Sequence, residues 1–319
     1  MMNRLFLLFV SWLLFAFSSC NSSAPKTAEE RKQVGRYKIY KGELSIEADK
    51  GIEPVIRQQV EVFSYLHDSV NVSVQYKNED ELLKDFAEKK VGILLLAREL
   101  TDAERETYKT RDTIYAREMT IAYDAVALIG NPKFSDKELS IEKLQSFFNP
   151  AQASSNILQL VFDNSQSSCV SHVLNTLGYR EKISDKVYAL KSVEEVIDYV
   201  ANNQQVIGFI PFSFLSDVDD EKVKTVLKRI KILSLRGKNA KGEDVRVSAN
   251  QSDIADGSYP LIRTITAVTK FSYSDNLQWL FANFLMKEKG ARIFLKAGLI
   301  PARMPEREIN VNTGGIKGE

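Results

Sequence analysis

The sequence predicts an α/β fold in which a mostly parallel sheet carries helices on its faces. Between residues 36 and 97, predicted strands alternate with predicted helices, and this order is typical of parallel sheets. A second strand–helix unit follows, because an apolar run at 157–162 leads into a helical pattern at 170–177. The chain has 319 residues, and about 300 of them remain without an export signal, which favours two lobes over one.

The first half of the chain begins with an alternating strand at 36–46 that ends at Glu47 and continues into a loop at 48–54. Pro54 is well placed to open a helix at 55–66. The buried stripe predicted for that helix comprises Val55, Ile56, Val62, Phe63 and Leu66. The next elements are predicted to be a strand at 70–76, a helix at 80–88, a buried strand at 91–97 and a helix capped by Thr101 with Glu104.

The second half opens with an apolar strand at 119–129 that is expected to cross to the other lobe. Ser140 is predicted to cap a helix that ends at Phe148, and Ser192 with Glu195 fits a capping box. Residues 237–257 are polar and are predicted to be a loop. The remaining predicted elements are strands at 206–210, 230–235 and 261–268 and helices at 277–287 and 289–296.

The N-terminus has the pattern of an export signal. Arg4 precedes an apolar run at 5–17 that is too short to span a bilayer comfortably. Residues 17–20, Phe-Ser-Ser-Cys, resemble a bacterial lipobox, which implies cleavage before Cys20 and lipid attachment to Cys20. We therefore expect a lipoprotein signal peptide at 1–19 and a lipid anchor and tether at 20–37. An ordinary signal peptide that contains a cysteine is the alternative.

Composition excludes several classes of function. The chain has 43 Lys and Arg against 42 Asp and Glu, and loss of Arg4 with the signal leaves the charges balanced, which argues against nucleic acid as a partner. Only two histidines occur, so a multi-histidine metal site is excluded. If Cys20 is acylated, Cys169 has no internal disulfide partner.

The stretch 162–174 is the strongest candidate for a binding site. Small hydroxyl, amide and carboxylate side chains lie between the predicted strand and the helix that stops at Gly178. Unpaired N–H groups at a helix start carry partial positive charge and, with nearby hydroxyls, can hold an anion. The alternative is that residues 164–168 only turn the chain and cap the helix.

Several segments, in this order, are similar to the PstS-like family of phosphate-binding lipoproteins of bacterial ABC transporters. These are Tyr123 to Ile129 with Asn131-Pro132, Ile207-Gly208-Phe209, Tyr259-Pro260-Leu261 with Arg263, Gly298-Leu299-Ile300-Pro301, and Arg98-Glu99-Leu100-Thr101 with Glu104. The resemblance covers nearly all of the mature chain.

The resemblance implies a two-lobe periplasmic binding protein of type II, in which two crossing strands form the hinge. Lobe 1 would comprise 38–122 plus 236–319, and lobe 2 would comprise 123–235. The expected ligand is phosphate or another small oxyanion, and the expected partners are an ABC transporter permease and the membrane, through lipidated Cys20. A monomer in the cell envelope, facing the periplasm or otherwise extracytoplasmic, is expected, with no cofactor and no enzymatic activity.

The ligand positions match the family less well than the fold does. Ser167-Ser168-Cys169 stands where the family has Ser-Gly-Thr, and a cysteine offers only a weak S–H donor. Asp163 stands at the family's arginine, Ile52 at a hydroxyl residue, and Gly92 at the carboxylate that accepts the proton of hydrogen phosphate. The hydroxyl-and-glycine loop of the family is replaced by Asn78-Glu79-Asp80.

A buried dianion needs compensating charge, because a bare carboxylate contact costs several kcal/mol at intermediate dielectric. Lys50 or Arg98 could supply it, although Arg98 could instead pair with Glu99 or Glu104. The residues expected at the ligand are therefore Ser167, Ser168, Cys169, Asp163, Lys50, Gly51, Ile52 and Arg98.

Two further hypotheses remain open at this point. The chain could be a tethered scaffold or recognition protein that has lost phosphate binding, as the altered ligand positions indicate. It could also be an enzyme in which Cys169 and His172 share a helix face with Asp163 as the orienting acid. A packed cysteine and a surface histidine are the simpler interpretation. Asp124 could be a hinge or a cleft acid, and a hydrogen-bonding role at the hinge is the favoured interpretation. The aromatic residues Phe209, Phe212 and Tyr259 could line the cleft or belong to the core.

Overall fold

The fold is known from a computed structural model, which describes residues 40–135, 139–150, 158–179, 182–239, 241–270 and 276–305. The predicted signal, anchor and lipidation site at Cys20 lie outside these residues. The described residues belong to a single unit spanning Tyr40–Glu319.

The strands in the described ranges are β1 Gly42–Asp49, β2 Val70–Lys77, β3 Ile93–Leu96, β4 Ala116–Gly130, β5 Gln159–Phe162, β6 Val187–Ala189, β7 Val206–Pro211, β8 Lys231–Ile232, β9 Ser234–Lys238, β10 Asp244–Ser248, β11 Ile262–Lys270 and β12 Ile300–Pro301. The helices are α1 Glu53–Leu66, α2 Glu79–Ala87, α3 Asp102–Thr110, α4 Ile141–Phe148, α5 Ser168–Thr176, α6 Val193–Asn202, α7 Glu221–Leu227, α8 Gln251–Ala255, α9 Leu277–Met286 and α10 Glu288–Lys296. Short 3₁₀ turns cover Lys50–Ile52 and Phe212–Phe214.

One mixed sheet of ten strands organises the described chain, in the order β2-β1-β3-β11-β4-β7-β5-β6, with β8 and β12 also paired to β4. The pairs β1–β2, β1–β3, β5–β6 and β5–β7 are parallel. The fold is therefore the predicted α/β fold, with a mostly parallel sheet flanked by helices. β9 and β10 form a separate antiparallel pair.

Strand β4 joins the two halves of the sheet. Its residues 116–125 pair with β11, and its residues 126–130 pair with β7. The change of partner falls beside Asp124, the one acidic residue in an otherwise apolar stretch of the strand. β4 therefore runs through both halves, as expected for the strand predicted to cross between lobes.

Most element boundaries agree with the sequence, and the local chemistry explains why. Thr101 accepts from the Glu104 N–H while Glu104 accepts from the Thr101 N–H, so the predicted capping box is confirmed. Ser140 caps α4, as predicted. Ser192 caps α6, but the Glu195 carboxylate accepts from the Lys191 N–H, so the reciprocal half of that box is wrong.

The prediction of a loop at 237–257 is wrong. The strand β10 and the helix α8 lie in this segment, and Asn250 caps that helix through the Asp253 N–H. The β9–β10 hairpin is exposed along much of its length, with Val247 as a buried contact. Residues 244–248 do alternate polar and apolar side chains, but this run is only five residues long and lies in a polar segment.

The buried stripe of α1 is also partly wrong. Val55, Ile56 and Phe63 are buried, but Val62 and Leu66 are each 37% exposed. The place expected for an apolar residue is taken by Gln59, which is fully buried and donates from Nε2 to the Gly290 carbonyl at 2.9 Å. The helix face turned to the core therefore includes a polar side chain that has a specific partner on α10.

The aromatic residues considered for the cleft belong to the core. Tyr259 is fully buried and its hydroxyl donates to the Val126 carbonyl at 2.8 Å. Phe209 stacks on Phe162 with ring centroids 4.6 Å apart, and Phe212 is buried. Within the described residues, no helix is both long enough and apolar enough to cross a membrane.

Candidate functional site

Asp49, the last residue of β1, forms the centre of the candidate site. The strand continues past the predicted end at Glu47, so Asp49 is not in a loop as predicted. Its Oδ1 accepts from the Gly51 N–H at 2.6 Å and from the Ser168 hydroxyl at 3.0 Å. The side chain is only 2% exposed. The carboxylate thus caps the 3₁₀ turn of its own chain and also binds the start of α5.

The Ser167 loop lies where the sequence predicts it, between β5 and α5. Ser167 is the N-cap of α5, and its Oγ accepts from the Val170 N–H at 3.3 Å. Burial raises the pKa of the Asp163 carboxyl, and the nearby Ser167 hydroxyl opposes that rise. Ser168 is the residue that reaches across to β1.

Arg263, from β11, connects all parts of the site. Its Nε and Nη2 donate to Asp124 Oδ2 at 3.0 and 2.7 Å, and its Nη1 donates to Ser168 Oγ at 2.9 Å. Nη2 also donates to the Gly51 carbonyl at 3.1 Å. Both side chains of the Asp124–Arg263 ion pair are 0% exposed. The guanidinium therefore bonds to the β1 loop, to β4 and to α5 at once.

The loop after β7 completes the arrangement. The Ser213 N–H donates to Asp124 Oδ1 at 3.1 Å, and the Ser213 hydroxyl donates to the Gly51 carbonyl at 2.8 Å. We call the group the junction cluster, and it consists of Asp49, Gly51, Asp124, Ser168, Ser213 and Arg263. Its loops follow the carboxyl ends of β1, β5 and β7, which is where open α/β sheets bind ligands. The hydrogen-bonding role predicted for Asp124 is confirmed.

The cluster carries more acid than base. Burial raises the pKa of Asp49 to about 6, against the opposing effects of Arg263 and of the Gly51 N–H. Burial likewise raises the pKa of Asp124, opposed mainly by the Arg263 charge, and raises the pKa of the adjacent Asp163. The Oδ1 atom of Asp163 is buried without a hydrogen-bond partner. A dianion placed here would meet these carboxylates with one guanidinium as its only close compensation in the junction cluster.

The two basic residues proposed as compensating charges do not reach the junction cluster. Lys50 is exposed. Arg98 donates to Glu79 Oε1 at 2.7 and 2.9 Å and to both carboxylate oxygens of Glu104 at 2.8 Å. Of the two alternatives for Arg98, pairing with nearby acids is the one observed. These carboxylates fix Arg98 beside α2 and α3, and the positive charge of the cluster comes from Arg263 instead.

The remaining predicted positions divide between cluster and core. Gly51 takes part through its N–H and carbonyl, and a Cβ at this residue would lie 2.9 Å from Asp49 Oδ1. Ile52 is 0% exposed and packs in the core instead of facing a ligand. Gly92 precedes β3 and adjoins Gln278 of α9. It lies four residues before the carboxyl end of β3, roughly 13 Å along the strand from the level of the cluster.

Cys169 and His172 do not form the pair that nucleophilic catalysis requires. Burial raises the pKa of the Cys169 thiol well above its ordinary value, and its Sγ lies 3.8 Å from Arg263 Nη1. Burial, assisted by Arg263, lowers the pKa of His172 to about 4, and its Nε2 has no hydrogen-bond partner. A protonated thiol without a base gives no activated nucleophile. Within the described ranges, no group of three or more His, Cys, Asp or Glu could hold a metal ion.

Sequence reasoning missed three members of the cluster, Asp49, Ser213 and Arg263, as site residues. A signal existed for Arg263, which follows Tyr259-Pro260-Leu261 and is a charged residue inside a β-branched strand. A buried arginine needs a buried acid, and Asp124 is the corresponding charge in β4. The sequence contains no comparable signal for Asp49, because a polar residue just after a strand is common.

The fold and the cluster together define a class: an α/β protein with a candidate site where strand ends from two halves of one sheet meet. The family profile described as PBP superfamily domain matches residues 24–289. The chain belongs to this superfamily.

Three solved structures share the fold. A phosphate ABC transporter substrate-binding protein of Clostridium perfringens with bound phosphate is 20% identical, with a TM-score of 0.66 over 82% of this chain and 100% of that one. An ABC-type phosphate transport receptor of Vibrio cholerae is 18% identical, with a TM-score of 0.62 over 82% and 100% of the two chains. PstS of Borrelia burgdorferi is 18% identical, with a TM-score of 0.53 over 84% and 100%. Comparison with curated protein sequences gave no significant match.

Proposed function

We propose that this chain is the solute-binding lipoprotein of an ABC transporter and captures phosphate or another small oxyanion between two lobes. One observation carries the proposal: the Gly51 N–H and the Ser168 hydroxyl both donate to the Asp49 carboxylate, and the Arg263 guanidinium donates to that same hydroxyl oxygen. Since a carboxylate is itself a small oxyanion, these donors are arranged for that class of ligand. The phosphate bound by the Clostridium perfringens relative supports the choice.

The proposed clamp has the lobe boundaries that the sequence suggests, 38–122 plus 236–319 and 123–235. The change of partner along β4 supports a hinge near Asp124. The cluster bonds across this boundary, because Arg263 and Asp49 belong to the first lobe and Ser168 to the second. Closure around a ligand would bring these same donors together.

Isothermal titration tests the binding function directly. The chain from residue 21 onward, without signal and acylated cysteine, is titrated with phosphate, sulfate and related oxyanions at neutral pH. Saturable heat with at least one of them is expected. Heat that stays flat for every anion would contradict capture by the wild-type protein.

The envelope location is a second part of the proposal. Residues 1–19 act as the signal, Cys20 carries the lipid, residues 20–37 form the tether, and the protein faces the extracytoplasmic space as a monomer beside its permease. Labelled palmitate should enter the wild-type protein and the Cys169→Ser variant, but not the Cys20→Ser variant. Equal labelling of all three would refute the assignment of Cys20.

A second candidate function has its own observation in favour. The donors of the junction cluster are already bonded to its own carboxylates, Asp49 and Asp124, and Asp163 adds a further buried acid. A tethered recognition or scaffold protein that no longer binds phosphate would retain this fold. Cross-linking in intact envelopes distinguishes the two candidates, since a transporter permease should be captured only by a transport protein.

A further inference from the structure

The carboxylate of Asp49 is placed as a bound anion would be. It accepts from a loop N–H at 2.6 Å and from a hydroxyl in the first turn of α5 at 3.0 Å. That hydroxyl, Ser168 Oγ, also accepts from Arg263 Nη1 at 2.9 Å, which orients its proton towards Asp49. Charge-assisted bonds of this kind are those that oxyanion sites use. Asp49 therefore takes up donors that an external ligand would need.

Little space is left for a ligand between Asp49 and its neighbours. A Cβ on Gly51 would lie 2.9 Å from Asp49 Oδ1, 3.1 Å from Ser168 Oγ and 3.2 Å from Arg263 Nη2. A tetrahedral oxyanion is much larger than a methyl group. It can reach these donors only when the Asp49 carboxylate moves away or the loops separate.

Charged groups face Asp49 from each neighbouring element. Arg263 of β11 is the attractive charge, and Glu79 at the start of α2 is repulsive. Asp124 of β4 acts on Arg263. Asp124 and Asp163, which follows β5, both act on the thiol of Cys169 beside Arg263. Since Arg263 already neutralises Asp124, an added dianion beside ionised Asp49 has no free positive charge in the junction cluster.

We propose that Asp49 is the specificity-determining residue of the cleft: its carboxylate is a built-in occupant that an external oxyanion must displace. This inference rests on the proposed function, because it concerns the same site. Hydrogen phosphate and sulfate must displace this carboxylate, so these dianions bind more weakly while Asp49 is in place. Removal of the Asp49 carboxylate leaves a space of carboxylate size with the Gly51 N–H, Ser168 Oγ and Arg263 around it.

The test compares wild type with Asp49→Ala, using inorganic phosphate and formate as probes in isothermal titration. Asp49→Ala should bind phosphate, formate or both at least about tenfold more tightly than wild type, because a repulsive charge and a competing group are both gone. Asp163→Ala is the matched control, since it removes a neighbouring buried acid without freeing the donors that Asp49 occupies. The affinity of Asp163→Ala for these anions should rise by less than about threefold.

The outcomes separate this inference from the proposed function. Flat heat for wild type with binding by Asp49→Ala supports the inference and refutes wild-type capture. Binding by wild type with no gain in Asp49→Ala refutes the inference and leaves capture intact. Equal gains in Asp49→Ala and Asp163→Ala also overturn it, because charge alone then explains the effect. If Asp49→Ala fails to fold, Asp49→Ser, which keeps a small hydroxyl acceptor for the Gly51 N–H but removes the carboxylate, should still gain in phosphate or formate affinity, and no gain there counts against the proposal.

Discussion

Asp49 and Ser168 are 119 residues apart in the chain, yet the Ser168 hydroxyl donates to the Asp49 carboxylate at 3.0 Å with both residues buried. This bond ties the end of a strand in the first half of the sheet to the start of a helix in the second half. Arg263 Nη1 donates to the same hydroxyl oxygen at 2.9 Å. We therefore expect one group of charged side chains to contribute both to the stability of the protein and to its proposed ligand preference.

Asp49→Asn should stabilise the protein at neutral pH. The pKa of Asp49 is about 6 in the folded protein against 3.8 for the unperturbed group. The folded state therefore binds more protons than the unfolded chain between pH 4 and 6, and ionisation of Asp49 costs stability as pH rises through that window. The full cost above pH 6 is about 3 kcal/mol as an order of magnitude.

The measurement is urea unfolding of both proteins from pH 4 to 8. The difference between Asp49→Asn and wild type should grow in favour of the variant up to about pH 6 and then level off. Asp256→Asn is the control, because Asp256 has a lowered pKa and its removal should not produce a gain of this sign. A difference that does not change with pH would show that Asp49 titrates normally.

Arg263→Met should be strongly destabilising. The substitution leaves the carboxylate of Asp124 fully buried without its counter-charge, and loss of one partner from a buried ion pair costs about 3–5 kcal/mol. The double variant Asp124→Asn with Arg263→Met should lose less than the two single effects added together, since no bare charge remains.

Urea unfolding monitored by circular dichroism measures these losses. Arg229→Met is the matched control, because Arg229 forms an exposed ion pair with Asp198 and its loss should change the free energy of unfolding by about 0.5 kcal/mol or less. Similar losses for Arg229→Met and Arg263→Met would contradict a special role for the buried pair.

Gly51→Ala should destabilise the protein by about 1–3 kcal/mol. The new Cβ would lie 2.9 Å from Asp49 Oδ1 and 3.2 Å from Arg263 Nη2, and both groups are held by hydrogen bonds. The second substitution Asp49→Ala should relieve part of the loss, since it removes the closest clash. Thermal melting of the two single variants and the double variant gives the coupling energy between the two substitutions. Strictly additive losses would mean that Gly51 is not packed against Asp49.

Cys169 should react far more slowly than a free thiol with an alkylating reagent at neutral pH. The side chain is fully buried, and burial raises the pKa of its thiol. In a Cys169→Ser background, Ser171→Cys places a thiol on the exposed side of the same helix and should react at the free-thiol rate. Reaction of native Cys169 as fast as this control would restore the enzyme hypothesis.

The sequence predicted the fold because each element carries local chemistry. Thr101 with Glu104, Ser140 and Asn250 mark helix starts by satisfying N–H groups that every helix leaves free, although Asn250 was overlooked in a polar segment. The order of strands and helices then limits the topology to a mostly parallel sheet. The prediction failed for the β9–β10 hairpin, because its alternating run is only five residues long and lies in a polar segment.

The sequence alone determined the α/β class, the order of the elements and the place of the Ser167 loop at a helix start. Only the tertiary structure decided which side chains complete the site. Local patterns record how each segment meets solvent and core, whereas the junction cluster depends on which strand ends lie side by side. Asp49, Asp124, Ser168 and Arg263 come from four separate elements, and packing of the whole sheet brings their charges within hydrogen-bonding distance.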